Sequence, residues 1–382
     1  MRKQFPVLLG LAIALGAPVA AAAAEPAGGD ARAERKVNYV PQIEGAVKAK
    51  FELSTYDGKF RFNVRNSRFG VKGLVSPHMS YKMQVDFSNE GKLSVLDAYV
   101  AYAQGHFEFV LGQQQYRFSA DLDRGPSTNY FANRSFLAKY LTSYYSIDGD
   151  GRATVKTIGS RDIGARLTYK SRTEVPFRVL VGAFNGSGIN NPEWQDGVNV
   201  MTRLEVGGEK EGLCGAISYY NGQSPSVQRP SGADGVESYH QKMQLIGGGL
   251  RYLDDHVYAE AEYAQRRLKG AARTTEVMHA AYVQGFYKFV MPPSWAVVRY
   301  LAPIGRWDMG SNVDYLNTAD NGHEWFSANR MTLGLNIGFV ETLLRSELRV
   351  NYEKYFLKRK PGDFARNPLL QDKFTIEIVA SF

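Results

Sequence analysis

Residues 373–382 alternate. Phe374, Ile376, Ile378, Ala380 and Phe382 fall on one side of an extended chain, with Lys373, Thr375, Glu377, Val379 and Ser381 on the other. A period of two marks a β-strand whose two faces meet different surroundings. The texture recurs in Ile43-Gly45-Val47-Ala49-Phe51-Leu53, in Tyr81-Met83-Val85-Phe87, in Val198-Val200-Thr202-Leu204-Val206 and in Met331-Leu333-Leu335-Ile337-Phe339, each interleaved with mostly polar residues. The whole chain reads as about sixteen strand candidates of roughly ten residues each. Between Phe62 and Phe69 the apolar phase flips, which requires a bulge near Asn66-Ser67. Residues 276–290 and 294–303 keep no clear phase, and Gly247, Gly248 and Gly249 loosen their strand.

Connections come in two sizes. Asp57-Gly58, Val75-Ser76-Pro77, Glu90-Gly91, Gly207-Gly208 with Lys210, and Asp254-Asp255 read as tight polar turns. Residues 113–161, 221–241 and 303–327 read as long loops. Short turns on one rim and long loops on the other are usual in outer-membrane barrels. No helical period competes, and no internal repeat appears beyond the strand rhythm.

The amino terminus indicates export. Arg2 and Lys3 precede an apolar stretch from Val7 to Ala23, which ends in Ala22-Ala23-Ala24 before Glu25. This is the pattern of a secretory signal peptide, expected over residues 1–24. Residues 25–42 read as a flexible periplasmic leader and 43–382 as the barrel. Cys214 stands alone, so no internal disulfide can staple the fold. The formal charge of +8 falls to +6 once Arg2 and Lys3 leave with the signal, a modest excess that suits anionic partners.

Alternation alone does not separate a soluble sandwich from a membrane barrel. Export does, together with strand length: tilted membrane strands need about ten residues, whereas globular strands average nearer five or six. The fold class expected is therefore an all-β transmembrane antiparallel barrel. With about sixteen strands its lumen is wide and water-filled.

Several segments carry a family resemblance. The run from Phe60 to Gly73 (FRFNVRNSRFGVKG), the run from Ser80 to Phe87 (SYKMQVDF), Leu96-Asp97-Ala98-Tyr99-Val100 and Leu111-Gly112-Gln113 resemble motifs of the phosphate-selective porin O and P family. So do Tyr130-Phe131-Ala132-Asn133-Arg134-Ser135-Phe136 and Ser160-Arg161-Asp162-Ile163-Gly164-Ala165. The likeness is strong over residues 43–170 and looser afterwards, returning at the terminal Phe. It implies a sixteen-stranded barrel, often a homotrimer, whose long third loop folds inward as a constriction. It also implies passive diffusion of small anionic, phosphate-type solutes past an arginine ladder and a constriction lysine.

Candidate pore-lining, anion-binding residues are Lys48, Lys50, Arg61, Arg65, Lys72, Lys82, Arg166, Arg178 and Arg203. In the third loop the constriction candidates are Arg117, Arg124, Arg134 and Lys139; with Arg152, Lys156 and Arg161 of the same segment they are set against Asp121, Asp123, Asp148 and Asp150. Guanidinium donors match phosphate and carboxylate oxygens two at a time. Against this stand Glu44, Glu52, Asp86, Asp97, Glu108, Glu205, Glu260, Glu262 and Glu347. These could pair with the bases across neighbouring strands and leave little net field. Tyr130, Tyr140, Tyr144 and Tyr145 suit either an interfacial girdle or a solute-stacking slide. Six scattered histidines show no metal-ligand spacing, and no nucleophile elbow or phosphate-cradling loop is visible. Neither enzymatic activity, cofactor nor nucleic-acid partner is expected. The rival reading is a surface scaffold or solute-binding barrel with an occluded lumen.

Overall fold

An unpaired strand edge inside a membrane would leave backbone N–H and C=O groups without partners, so spanning strands must close on themselves. The computed structural model describes residues 38–382, apart from 90, 91, 126, 148–152, 158, 159, 195, 196, 209, 210, 225, 226, 232–234, 270–274, 318–321, 340–344 and 360–369. The stretch read as a signal peptide and most of the stretch read as a leader thus lie outside the described residues.

Sixteen antiparallel strands form the wall. They are β1 (Gln42–Ser54), β2 (Phe60–Leu74), β3 (Met79–Asn89), β4 (Lys92–Gln104), β5 (Phe107–Gln115), β6 (Arg161–Lys170), β7 (Phe177–Phe184) and β8 (Asn199–Gly207). The second half comprises β9 (Gly212–Gln223), β10 (Lys242–Leu253), β11 (Val257–Lys269), β12 (Thr275–Tyr287), β13 (Val298–Asn317), β14 (Gly322–Phe339), β15 (Arg345–Arg359) and β16 (Lys373–Ser381). Each pairs with the next, and β16 returns to β1 with Phe374 opposite Leu53 and Ser381 opposite Ala46. Gly45 and Phe382 exchange both backbone hydrogen bonds, at 3.0 and 3.1 Å. The Phe382 ring covers Gly45 so closely that an added Cβ would lie 2.3 Å from it. The terminal residue is part of the closure.

Side chains sort as the alternation requires. On β1, Ile43 and Val47 are exposed on the outside, whereas Lys48, Lys50 and Glu52 are buried on the lumen side. The bulge expected near Asn66-Ser67 falls one residue earlier. Lys48 pairs with Asn66 and Ala49 with Val64, leaving Arg65 as the extra residue. That slip keeps Phe62 and Val64 outward above it and Phe69 outward below it.

One loop reading needs correction, and two long loops hold structure of their own. Residues 303–327 are mostly strand: β13 runs to Asn317 and β14 begins at Gly322. Their alternation is obscured because the register shifts between Gly310 and Val313, and because the lumen positions include charged Arg306 and Asp308. Residues 221–241 hold the end of β9 and a separate hairpin of Val227–Ser231 with Gly235–Tyr239. Residues 113–161 contain the end of β5, two short helices, α1 (Ala120–Asp123) and α2 (Phe136–Tyr140), and a hairpin of Ser143–Ile147 with Ala153–Thr157. Ser119 and Ser135 cap the two helices, accepting from Leu122 N and Ala138 N.

The unphased residues 276–290 form β12, with the continuation Phe289–Val290. Their alternation is masked because the inward Met278, Ala280 and Tyr282 are themselves mainly apolar and pack against the third loop. The tight turns at Val75-Ser76-Pro77, Gly207-Gly208 and Asp254-Asp255 share one rim. Asp57-Gly58 lies on the opposite rim, with the third loop, and Gly58 takes φ +73° there. Glu90-Gly91 lies outside the described residues.

Candidate functional site: a basic cavity beneath the third loop

The third loop, between β5 and β6, enters the lumen because both its apolar and its polar groups have partners on the wall. Phe118, Leu122, Phe136, Leu137 and Leu141 join Met201, Met243, Leu245, Leu268, Met278 and Phe326 in one buried cluster. Phe136 meets Phe326 edge-on at 6.0 Å. Around the cluster, wall side chains bind loop backbone. Glu262 accepts from Ser119 Oγ (2.8 Å), Ala120 N (2.8 Å) and Tyr282 Oη (2.6 Å). Asp308 accepts from Phe136 N at 3.2 Å, and Asn351 Oδ1 from Ala132 N at 2.9 Å. Arg203 donates to Phe118 O (2.5 Å), Arg306 to Asn133 O (3.0 Å) and Arg330 to Arg134 O (2.6 Å). Arginine suits this task, since one planar fork reaches a carboxylate and a carbonyl together. Arg306 and Arg330 both also bind Asp308, at 2.9 and 2.8 Å.

Most of the sequence-derived cations are paired. Lys48 meets Glu377 at 3.1 Å, Lys50 meets Glu52 at 2.7 Å, and Arg61 meets Glu52 at 2.6 Å. Lys50 also donates to Asn133 of the loop at 2.9 Å. Lys72 and Lys82 share Glu44, at 3.2 and 2.6 Å, and Lys82 lies 3.7 Å from Asp97. Arg178 and Arg203 share Glu205, the latter at 2.7 Å. Arg166 lies 3.6 Å from Glu108. In the loop, Arg124 pairs with Asp121 (3.3 Å) and with Glu260, while Arg134 donates to the carbonyls of Asp121 and Arg124. The neutralising role foreseen for the acids is thus real for much of the wall.

Arg65, Arg117 and Lys139 differ. All three are exposed to the lumen side of the chain and make no ion pair among the described residues. Arg65 is the bulge residue and lies within electrostatic reach of Lys139. Arg117 holds φ +66°, the left-handed region that side chains rarely adopt.

Below the loop opens a cavity of about 660 Å³. It gathers Arg117, Arg124, Arg166, Arg178 and Arg203 of the candidates and adds Lys170 and Arg251. Glu108, Asp123, Glu205, Glu260 and Glu262 oppose these seven cations, leaving a formal excess of two positive charges. Lys48, Lys50, Arg61, Arg65, Lys72, Lys82, Arg134 and Lys139 do not line it; they belong to the β1–β3 wall and the loop. Asp123 is half-buried, and burial pushes its carboxyl up to about 6 against the pull of Arg117 and Arg203. Among the described residues no His, Cys, Asp and Glu cluster could hold a metal ion, and no helix is long and apolar enough to cross a membrane.

Sequence reasoning missed the loop clamps Arg306 and Arg330, which sit in or beside the stretch read as a loop. Lys170 and Arg251 carried a usable signal, because both fall on lumen-side positions of their strands. Tyr130 is part of a ring cluster at the base of the loop, 4.6 Å from Tyr258 and 4.8 Å from Phe286.

Comparison with known proteins agrees with this geometry. Residues 44–209, spanning β1 to β8, match the family model described as phosphate-selective porin O and P. No curated protein sequence matches the chain. Solved structures share the fold. The trimer form of in-vitro folded OmpT, an outer membrane protein of Vibrio cholerae, is 13% identical, covers 90% of this chain and 98% of its own, and superposes with a TM-score of 0.53. OmpF of Salmonella typhi in complex with daunomycin is 16% identical, with coverages of 90% and 98% and a TM-score of 0.57. An anion-selective porin from Comamonas acidovorans is 10% identical, with coverages of 90% and 100% and a TM-score of 0.55. The first eight strands match the family model of phosphate-selective porin O and P, and the whole chain has the sixteen-stranded barrel fold of outer-membrane porins.

Proposed function

We propose that this porin passes small anionic solutes, phosphate-type oxyanions included, by passive diffusion. The observation that carries the reading is the cavity below the third loop, where seven cations face five acids and Arg117 stands unpaired. An aqueous pore selects by the sign and position of its wall charges. Arg65 and Lys139 on the loop side, then Arg117 and Lys170 in the cavity, form a sequence of positive positions along the lumen. The paired Lys48, Lys50, Arg61, Lys72, Lys82, Arg124, Arg134, Arg166, Arg178 and Arg203 fix the wall and the loop around that path. The working unit is a homotrimer, as in the trimer form of the Vibrio cholerae protein.

Reversal potential in planar bilayers under a potassium chloride gradient tests the reading. Anion preference is the expected result, and cation preference overturns the charge assignment. The packing of the third loop's apolar face against β8–β14 also favours, in part, an occluded binding barrel. A reconstituted protein that opens no channels and permits no solute flux in swelling assays would establish that second reading.

A further inference from the structure

The outer face of β10 and β11 changes character along its height. From the short-turn rim upward, the outward residues of β10 run Leu250, Gly248, Ile246, Gln244 and Lys242, with Leu250 and Ile246 exposed. On β11 they run Ala259, Ala261, Tyr263, Gln265, Arg267 and Lys269. The register sets Tyr263 beside Gly248, Arg267 beside Gln244, and Lys269 beside Lys242. Asn221 of β9 accepts a hydrogen bond from Gln244 at 3.3 Å. Apolar, then aromatic, then amide, then cationic is the order in which acyl chains, the interface and a headgroup layer succeed one another.

Lys242, Arg267 and Lys269 are exposed, and none makes an ion pair or side-chain hydrogen bond among the described residues. Elsewhere on the barrel the lysines and arginines mostly sit beside acids. Like charges placed directly across a strand pair repel. Keeping three together on the outside, at the rim of the long loops, calls for an anion supplied by the surroundings. That rim is the extracellular one in barrels of this kind.

We propose that Lys242, Arg267 and Lys269 form a docking site for the phosphorylated headgroup of an outer-leaflet glycolipid. The Arg267 fork and the two ammonium groups bind phosphate oxygens, Gln244 and Asn221 supply neutral hydrogen bonds, and Tyr263 marks the upper edge of the acyl layer. The site lies on the wall exterior and is independent of what the lumen conducts.

The test uses the purified full-length chain in detergent, with bis-phosphorylated lipid A as probe and binding read by native mass spectrometry and thermal shift. The wild type is expected to bind it and to ignore the dephosphorylated lipid. The triple variant Lys242→Gln, Arg267→Gln, Lys269→Gln should lose about a hundredfold in affinity, at roughly 1 kcal/mol per surface cation. Its single-channel conductance should stay at the wild-type value, showing an intact barrel, and Arg267→Lys should retain most of the binding. Equal affinity in wild type and triple variant, or equal affinity for the dephosphorylated lipid, overturns the proposal. A triple variant that changes oligomeric state without a change in lipid affinity would instead identify a contact between copies.

Discussion

Pairing at the level of single residues separates two kinds of arginine that composition cannot distinguish. Arg117 is exposed, unpaired and held at φ +66°. Arg117→Gln should therefore weaken anion preference, read as a smaller reversal potential, with little change in heat stability. Arg203 is buried between Glu205, Ser218 and Phe118 O, so Arg203→Gln strands Glu205 with Arg178 alone and removes a clamp on the third loop. Breaking a buried pair of this kind costs about 3 kcal/mol, and a lowered melting temperature in detergent would show it. Asp123 adds a pH response. Its carboxyl is pushed up to about 6, so it is charged above that pH and neutral below it. Protonation removes one of the five acids facing the cavity, and anion preference should rise between pH 7.5 and pH 5. Asp123→Asn should show the higher preference at both values, and an unchanged pH response in that variant would refute the assignment.

Among the elements, the third loop is the one that enters the lumen, and its own packing holds it in place. Phe136 lies at the centre of the buried cluster, against Phe326, Tyr140 and Tyr355. Phe136→Ala should cost about 3 kcal/mol of loop docking. Single-channel recordings should then show larger and noisier openings, since the wall ladder stays intact while the loop loosens. This packing also explains which elements were legible from the residues. β1, β8 and β16 separate a greasy lipid face from a polar lumen face, so their period of two survives in plain view. On β12 the lumen face carries Met278, Ala280 and Tyr282 for the loop, so both faces look apolar and the phase vanishes. On β13 the Gly310–Val313 slip divides one long strand into halves of opposite phase. The site was legible to a similar depth. Residue type and parity identified cations facing the lumen. Which of them remain unpaired depends on cross-strand register and on clamps such as Arg306 and Asp308, and neither has a local sequence signal.

At the scale of the whole molecule, the barrel inverts the usual rule of burial. Its buried interior wall holds Lys48, Glu377, Arg349 and Asp308, whereas Leu250, Ile217 and Leu333 are exposed on the outside. The same substitution should therefore have opposite consequences on the two sides of one wall. Leu250→Arg places a cation on the outward face of β10, in the apolar stretch below Tyr263, and should cost about 2–4 kcal/mol of folding into lipid vesicles. Ser80→Arg on β3 places the same side chain on the cavity wall, where water and Glu108 accompany it. Folding yield there should stay at the wild-type level, and anion preference should rise with the added charge. Urea titrations of both variants in vesicles, paired with reversal potentials, measure the two effects separately. A Leu250→Arg barrel as stable as wild type would mean that this face does not meet acyl chains. A Ser80→Arg pore with unaltered selectivity would mean that ions do not pass through the cavity.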